Sequence, residues 1–324
     1  MQKRKAWLGL FAALFAVALA QPAQSDEWPQ RPVRIIVPFP AGGNSDAVAR
    51  IVAQRLGEVF GQQFVVESRP GAGGALAAES VARAPADGYT LFMATLGQIA
   101  VIPKISKTSY DPVKDLAPIS NIGTNPFVLL VNPSVPATNV RELVDYARSR
   151  SDKLTYVSAG PGSMVNLSMA MFLHRAGIDM IPVSYKGGAA PLTDVIAGHV
   201  SSFFPNLSVV LPQAKTGAIR LLAVSSEQRS AQLPEVPTFI ESGFPGFHVL
   251  TWNGLMAPAG TPKPIIDRLA KEIGKAVKDP AIAERLVHNG IDPLGNSPEE
   301  FAAMIARDMA MWADAIKAAG VQEK

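Results

Sequence analysis

Two short turns carry the residues best suited to chemistry. The first, Phe39-Pro40-Ala41-Gly42-Gly43-Asn44-Ser45-Asp46, follows an apolar stretch and precedes a helical pattern. The second, Ser158-Ala159-Gly160-Pro161-Gly162-Ser163, repeats that placement in the second half of the chain. Glycine lets the backbone approach a ligand closely. A helix that begins there offers unpaired N–H donors at the positive end of its dipole, which suits a carboxylate or phosphate. Taken singly, each turn is also what any strand-to-helix connection looks like. Together, one per half at strand C-terminal ends, they would let two lobes grip one anion.

Three other places have two readings each. Asp46, in a first helical turn, either complements the dipole or selects among ligands by repelling a carboxylate and favouring an amine, a hydroxyl or a water. Asn206 and Ser208 lie just past a strand, where they either reach a ligand or cap a turn. Trp252 and Asn253 sit in a return strand, where the Trp either packs a hinge or walls a pocket.

Other chemistries find little support. There is no HExxH, no G-x-S-x-G and no phosphate loop ending in Gly-Lys-Ser/Thr. The 4 histidines are scattered, and cysteine is absent, which removes disulfides, thiolate metal sites and Cys nucleophiles. The turn Gly71-Ala72-Gly73-Gly74-Ala75-Leu76 has Leu76 where a dinucleotide fingerprint needs Gly or Ala, and it follows the second strand rather than the first. No cofactor and no metal is expected.

The elements that must position these turns alternate in type. Strands are expected at 34–40, 64–67, 89–94, 127–131, 154–158, 181–185, 202–204 and 221–224. Helical spacing follows the first turn at Val48, Ile51, Val52, Leu56, Val59 and Phe60, with Ser45 as its expected N-cap. Further helices are expected from residue 71 to Ala82, from Asn139 to Arg148, and over 164–175. Repeated β-turn-α units imply a parallel-rich α/β sheet with helices on its faces. A strand-like stretch at 248–257 then leads into helices at 264–277, 280–288 and 298–319. These are expected to return to the first lobe, making it discontinuous. The expected division is 26–122 plus 251–324 for lobe one and 123–250 for lobe two, with crossings near 118–126 and 245–256. Two crossings make a hinge, and the cleft between lobes is the natural ligand site.

The N-terminus reads as an export signal. Lys3, Arg4 and Lys5 precede an uncharged apolar run, and Ala18-Leu19-Ala20 has the form that signal peptidase accepts, so 1–20 is expected to be removed, with cleavage as late as residue 25 the alternative. The run is shorter than a spanning helix. Of the 30 basic residues against 27 acidic, those three lie in the leader, which leaves 27 against 27. Without a basic excess or basic run, nucleic acid is not an expected partner. With no Cys for a lipid anchor, an outer membrane must retain the protein, which points to a periplasm.

Beyond these local readings, the sequence resembles a family. The segment 34–46, with Glu67-Ser68-Arg69-Pro70-Gly71-Ala72-Gly73-Gly74 and Asp87-Gly88-Tyr89-Thr90-Leu91, is similar to the Bug proteins, the substrate-binding components of tripartite tricarboxylate transporters. Similarity continues through 158–163, Tyr185-Lys186-Gly187-Gly188, Leu233-Pro234-Glu235-Val236-Pro237-Thr238 and Ala257-Pro258-Ala259-Gly260-Thr261-Pro262. The resemblance implies a two-lobed periplasmic binding protein of the second type. It implies a small carboxylate ligand, a large and a small integral membrane subunit as partners, and action as a monomer. It also implies that the carboxylate sits between residues 39–46 and 158–163. Asn166 stands where His is usual, and Pro205 where an acidic residue is usual. A sensor that reports carboxylate occupancy to a membrane kinase is the alternative role. Enzymatic activity is not expected: the deaminase that shares this broad fold carries its cofactor on a Cys.

Overall fold

Four of the five residues of β1 (Val33–Val37) are buried, as in a strand covered on both faces. This computed structural model describes residues 28–160, 163–185 and 190–318. The expected leader at 1–20 (or 1–25), Gly162 and the Lys186-Gly187-Gly188 motif lie outside the described residues. β1 pairs in parallel with β2 (Phe64–Ser68) and β3 (Thr90–Thr95), setting Ile35 against Val66 and Leu91. Between them run α1 (Asn44–Phe60) and α2 (Ala75–Ala82). Two long strands complete this sheet with a short edge strand. β4 (Leu116–Pro126) and β10 (Leu250–Pro258) pair antiparallel, and β11 (Asp292–Pro293) pairs with β4. The strand order is β11-β4-β10-β3-β1-β2.

The segments expected as crossings therefore lie largely within these two neighbouring strands. β4 hides its strand character because Pro118, Asn121, Gly123 and Asn125 interrupt it, all weak strand formers. Pro118 is tolerated because its partner Met256 lies at a register shift.

The second sheet is built from β5 (Val128–Val131), β6 (Thr155–Ser158), β7 (Ile181–Ser184), β8 (Ser202–Phe203) and β9 (Arg220–Val224), in the order β7-β6-β8-β5-β9. Its helices are α4 (Val140–Ser149), α5 (Met164–Ala176), α6 (Ala190–Ile196) and the short α7 (Leu207–Val210). Asn139 caps α4, its side chain accepting from Glu142 N. The two-residue strand period divides β5 between two cores. Leu129 and Val131 face a cluster with Phe127, Phe172, Phe204 and Phe239, while Val128 and Leu130 face Val157, Val195 and Val224.

The chain then returns through β10 to α8 (Lys263–Ala276), α9 (Pro280–His288) and α10 (Pro298–Ala318). Ile266, Leu269 and Ile273 of α8 join Val48, Val52 and Leu56 of α1 in the core on one face of the first sheet. On the other face, Phe301 and Trp312 of α10 belong to a cluster that runs without a break into the aromatic core of the second sheet. α10 lies so close to β10 that a Cβ on Gly254 would sit 2.2 Å from Phe301 Cζ. Each large apolar side chain so buried contributes about 1.5–3 kcal/mol, which ties the C-terminal helix firmly to the inter-sheet strands.

Candidate ligand-binding site between the two sheets

A cavity of about 700 Å³ lies where the two glycine turns meet. Phe39, Gly43, Asn44 and Ser45 line it from the first lobe, and Ala159, Gly160, Ser163 and Asn206 from the second. Ala41, Gly42, Asp46, Ser158 and Asn166 are not on its wall; four of them make hydrogen bonds that hold the wall in place.

In the first turn, Gly42 adopts φ 84°, a conformation that favours glycine. The helix starts two residues earlier than expected. Gly43 is the N-cap, Ala47 N donates to the Gly43 carbonyl at 3.0 Å, and Ser45 becomes a buried residue of the first turn rather than the cap. Glycine has no side chain to cap with, so first-turn N–H groups are left for water or a ligand. Asp46 closes the loop from behind. Its Oδ2 accepts from Gly42 N at 3.0 Å and from Arg50 Nε at 2.9 Å. The hydrogen bond from Arg50, chiefly, holds this carboxyl below its usual range against the opposing effect of burial.

In the second turn, Gly160 adopts φ 101°. Ser163 Oγ donates to the Gly160 carbonyl at 2.8 Å and accepts from Asn166 N at 3.2 Å, which caps α5. Asn166 Oδ1 accepts from Ser158 Oγ at 2.9 Å and from Tyr156 OH at 3.2 Å, and Gly160 N donates to Ser158 Oγ at 3.2 Å. Ser158 and Asn166 thus brace the turn whose front edge borders the cavity.

The rest of the wall comes from Trp252 and Asn253, singled out above in the return strand, and from residues that sequence reasoning passed over, Thr95, Asn125 and Thr251 among them. Asn253 of β10 stands opposite Thr95 of β3, and Thr251 of β10 stands opposite Asn125 of β4. All four border the cavity, as a polar row across three adjacent strands. Asn44 Nδ2 donates to the Asn289 carbonyl at 2.8 Å, and Asn44 Oδ1 accepts from Asn253 Nδ2 at 3.1 Å. Trp252 also borders the cavity, but its indole is fully buried, meets Phe301 edge-on at 5.1 Å and donates to Asp308 at 2.8 Å. Packing is its principal role.

A π-helical turn (Gly97–Val101) followed by α3 (Ile102–Ile105) closes another side. Within it, Gln98 is fully buried. Its Oε1 accepts from Thr95 N and Oγ1, and its Nε2 donates to the Gly73 carbonyl at 2.7 Å. This pins the 71–74 glycine turn to the end of β3. Such π-turns often mark functional sites, but only a helix break at Gly97 could have signalled this one.

Lys107 is the one charged side chain among the described residues of the wall. No carboxylate and no histidine lines the cavity among those residues, and no cluster suited to a metal occurs among the described residues. The arrangement offers backbone donors, hydroxyls, amides and one ammonium on a largely apolar wall. It fits a small anion with an apolar body.

The chain matches the family model "Tripartite tricarboxylate transporter family receptor" over residues 48–321. It is 33% identical over 331 residues to Protein BugT of Bordetella pertussis, covering 100% of this chain and 99% of that protein. A solved R. palustris protein with adipate superposes with a TM-score of 0.82 at 36% identity, covering 92% of this chain and all of that one. MatC of Rhodopseudomonas palustris with bound malate gives 0.76 at 31% identity, covering 89% and 100%.

Proposed function

The chain belongs to the tripartite tricarboxylate transporter receptor family, and from that membership we propose that it captures a small carboxylate in the inter-lobe cavity and hands it to a large and a small integral membrane subunit. The observation that carries this reading is the composition of the wall. Both glycine turns border one cavity whose described side chains include no acid and a single cation, Lys107. One carboxylate group of the ligand takes the unpaired N–H groups at the starts of the two helices that follow the turns.

The lobes are 26–122 with 251–324 and 123–250, each built on one sheet with β4 running across the boundary, and each supplies part of the site, so that closure depends on ligand. The receptor works as a monomer in the periplasm after removal of the N-terminal leader. No helix among the described residues is long and apolar enough to cross a membrane, as this role requires.

The test is a thermal-shift screen of the purified protein against mono-, di- and tricarboxylates, followed by small-angle scattering with the best ligand. A ligand at ~100 times its Kd adds about 2.7 kcal/mol of stability, and the radius should contract at saturation. Mass spectrometry of the denatured protein first establishes that no acid was carried through purification. A flat screen from ligand-free protein would rule out the carboxylate reading.

A further inference from the structure

Asn253, a residue of the cavity wall, has a buried hydrogen-bond acceptor with nothing to accept. Asn253 is only 2% exposed, and Asn125 is 1%. The orientation of the Asn253 amide follows from its neighbours. The Asn289 carbonyl can only accept, so Asn44 must turn Nδ2 toward it and Oδ1 toward Asn253. Asn253 must then turn Nδ2 toward Asn44. Asn253 Oδ1 is left buried and unpartnered, and Asn125 Oδ1 is in the same position. The Asn125 Nδ2 contact to Ser208 Oγ is long, at 3.5 Å. Both residues border the cavity, and strand register puts Asn125 opposite Thr251, two residues from Asn253. Buried polar atoms in native proteins are almost always satisfied. Two unsatisfied acceptors on one wall of a ligand cavity call for a donor.

We propose that Asn253 and Asn125 form an acceptor subsite for a ligand hydroxyl, so that the preferred carboxylates are hydroxy acids. This rests on the carboxylate-receptor reading and narrows it. An ammonium is the other candidate donor, but it would enter a wall whose only charged described side chain is another cation, Lys107. Asp46, the acid beside the first turn, is not on the wall, and its charge is paired with Arg50. A buried ammonium beside two neutral amides lacks a counter-charge. A hydroxyl needs none. It can donate to Asn253 Oδ1 and still accept a hydrogen bond. A suitable donor comes from the second lobe: Asn206 Nδ2 is also buried and unpartnered, on a residue of the same wall.

The test is calorimetric titration of the purified protein with matched acids: L-malate and succinate, citrate and tricarballylate, L-lactate and propionate, with L-aspartate as the amino counterpart of L-malate. The hydroxy acid should bind at least about tenfold more tightly than its deoxy partner in whichever pair binds, and L-malate more tightly than L-aspartate. Asn253→Leu and Asn125→Leu should each bring that ratio toward one. The wild-type comparison stands alone if either variant fails to fold. Equal affinity of hydroxy and deoxy acids would mean that the two amides hold only water, overturning this subsite while leaving the carboxylate reading intact. Tighter L-aspartate would overturn the hydroxyl assignment. Failure of all these acids to bind would overturn both readings.

Discussion

Asn44 and Asn253 share a hydrogen bond of 3.1 Å across 209 positions of sequence. Through it the first glycine turn is held by the return strand, and through the Asn289 carbonyl by the end of α9. The turn is thus fixed from its far side by the C-terminal third of the chain.

Asn44→Ala and Asn253→Ala should each weaken carboxylate binding, and the double variant should be little worse than either alone. The coupling expected for one buried neutral hydrogen bond is about 0.5–1.5 kcal/mol. A double-mutant cycle read by calorimetry gives it directly, and additive losses would show that the two residues act separately.

Ser163→Ala removes the α5 cap and the bond to the Gly160 carbonyl. The expected loss is about 1 kcal/mol of stability together with weaker binding of every carboxylate tested. Ser163→Thr, which keeps the oxygen, should recover most of both. Urea denaturation and calorimetry on the two variants separate a cap from a ligand contact: a stability loss without any change in affinity assigns Ser163 to the scaffold alone.

Asp46 sets a lower pH limit. Its folded pKa lies below the unfolded value, so its contribution is full above about pH 4 and is lost as pH falls through the folded value. Asp46→Asn should cost about 1 kcal/mol near neutral pH, modest because Arg50 is largely solvated. Denaturation curves for the two proteins should converge in acid. A gap that persists unchanged at pH 3 would mean that charge plays no part.

Asp308 works in the opposite sense. Burial pushes its pKa up to about 6, although Trp252 Nε1 donates to it. Between about pH 4 and pH 6 the folded protein holds a proton that the unfolded chain releases, so stability falls as pH rises through that window. Asp308→Asn keeps an acceptor for Trp252 without the charge. It should stabilise the protein at pH 7.5, by up to about 3 kcal/mol, and make little difference at pH 4. An equal effect at both pH values would mean that the carboxyl is not titrating there.

The two glycine turns are legible because the apolar strands before them and the helical spacing after them are strong local signals. Val48, Ile51, Val52 and Leu56 recur on one face of α1, as their periodicity predicts. The wall contributed by Thr95, Asn125 and Thr251 is not legible, for a physical reason. A polar residue facing a ligand cavity alternates with buried neighbours just as one facing solvent does. Only register across β3, β10 and β4 shows that these residues share a face. The bracing role of Asp46 is invisible for a related reason, since the rotamer that brings it to Gly42 N leaves no trace in spacing. Ser45 misleads because the residue type suits a cap, while the geometry at Gly42 and Gly43 places the cap two residues earlier.

The first sheet is stitched from both ends of the chain, with β1, β2 and β3 on one side of β10 and β4 and β11 on the other. A ribosome makes these ends in order, so Asn44 emerges long before Asn253 and Asn289 exist to hold it. The nascent first lobe can form its three parallel strands and the local bonds of its first glycine turn, but the turn then lacks the hold of Asn253 and Asn289. Ligand capture therefore begins only after the last strands have docked. A small acid present where the chain is made has no finished site to occupy while synthesis is still under way.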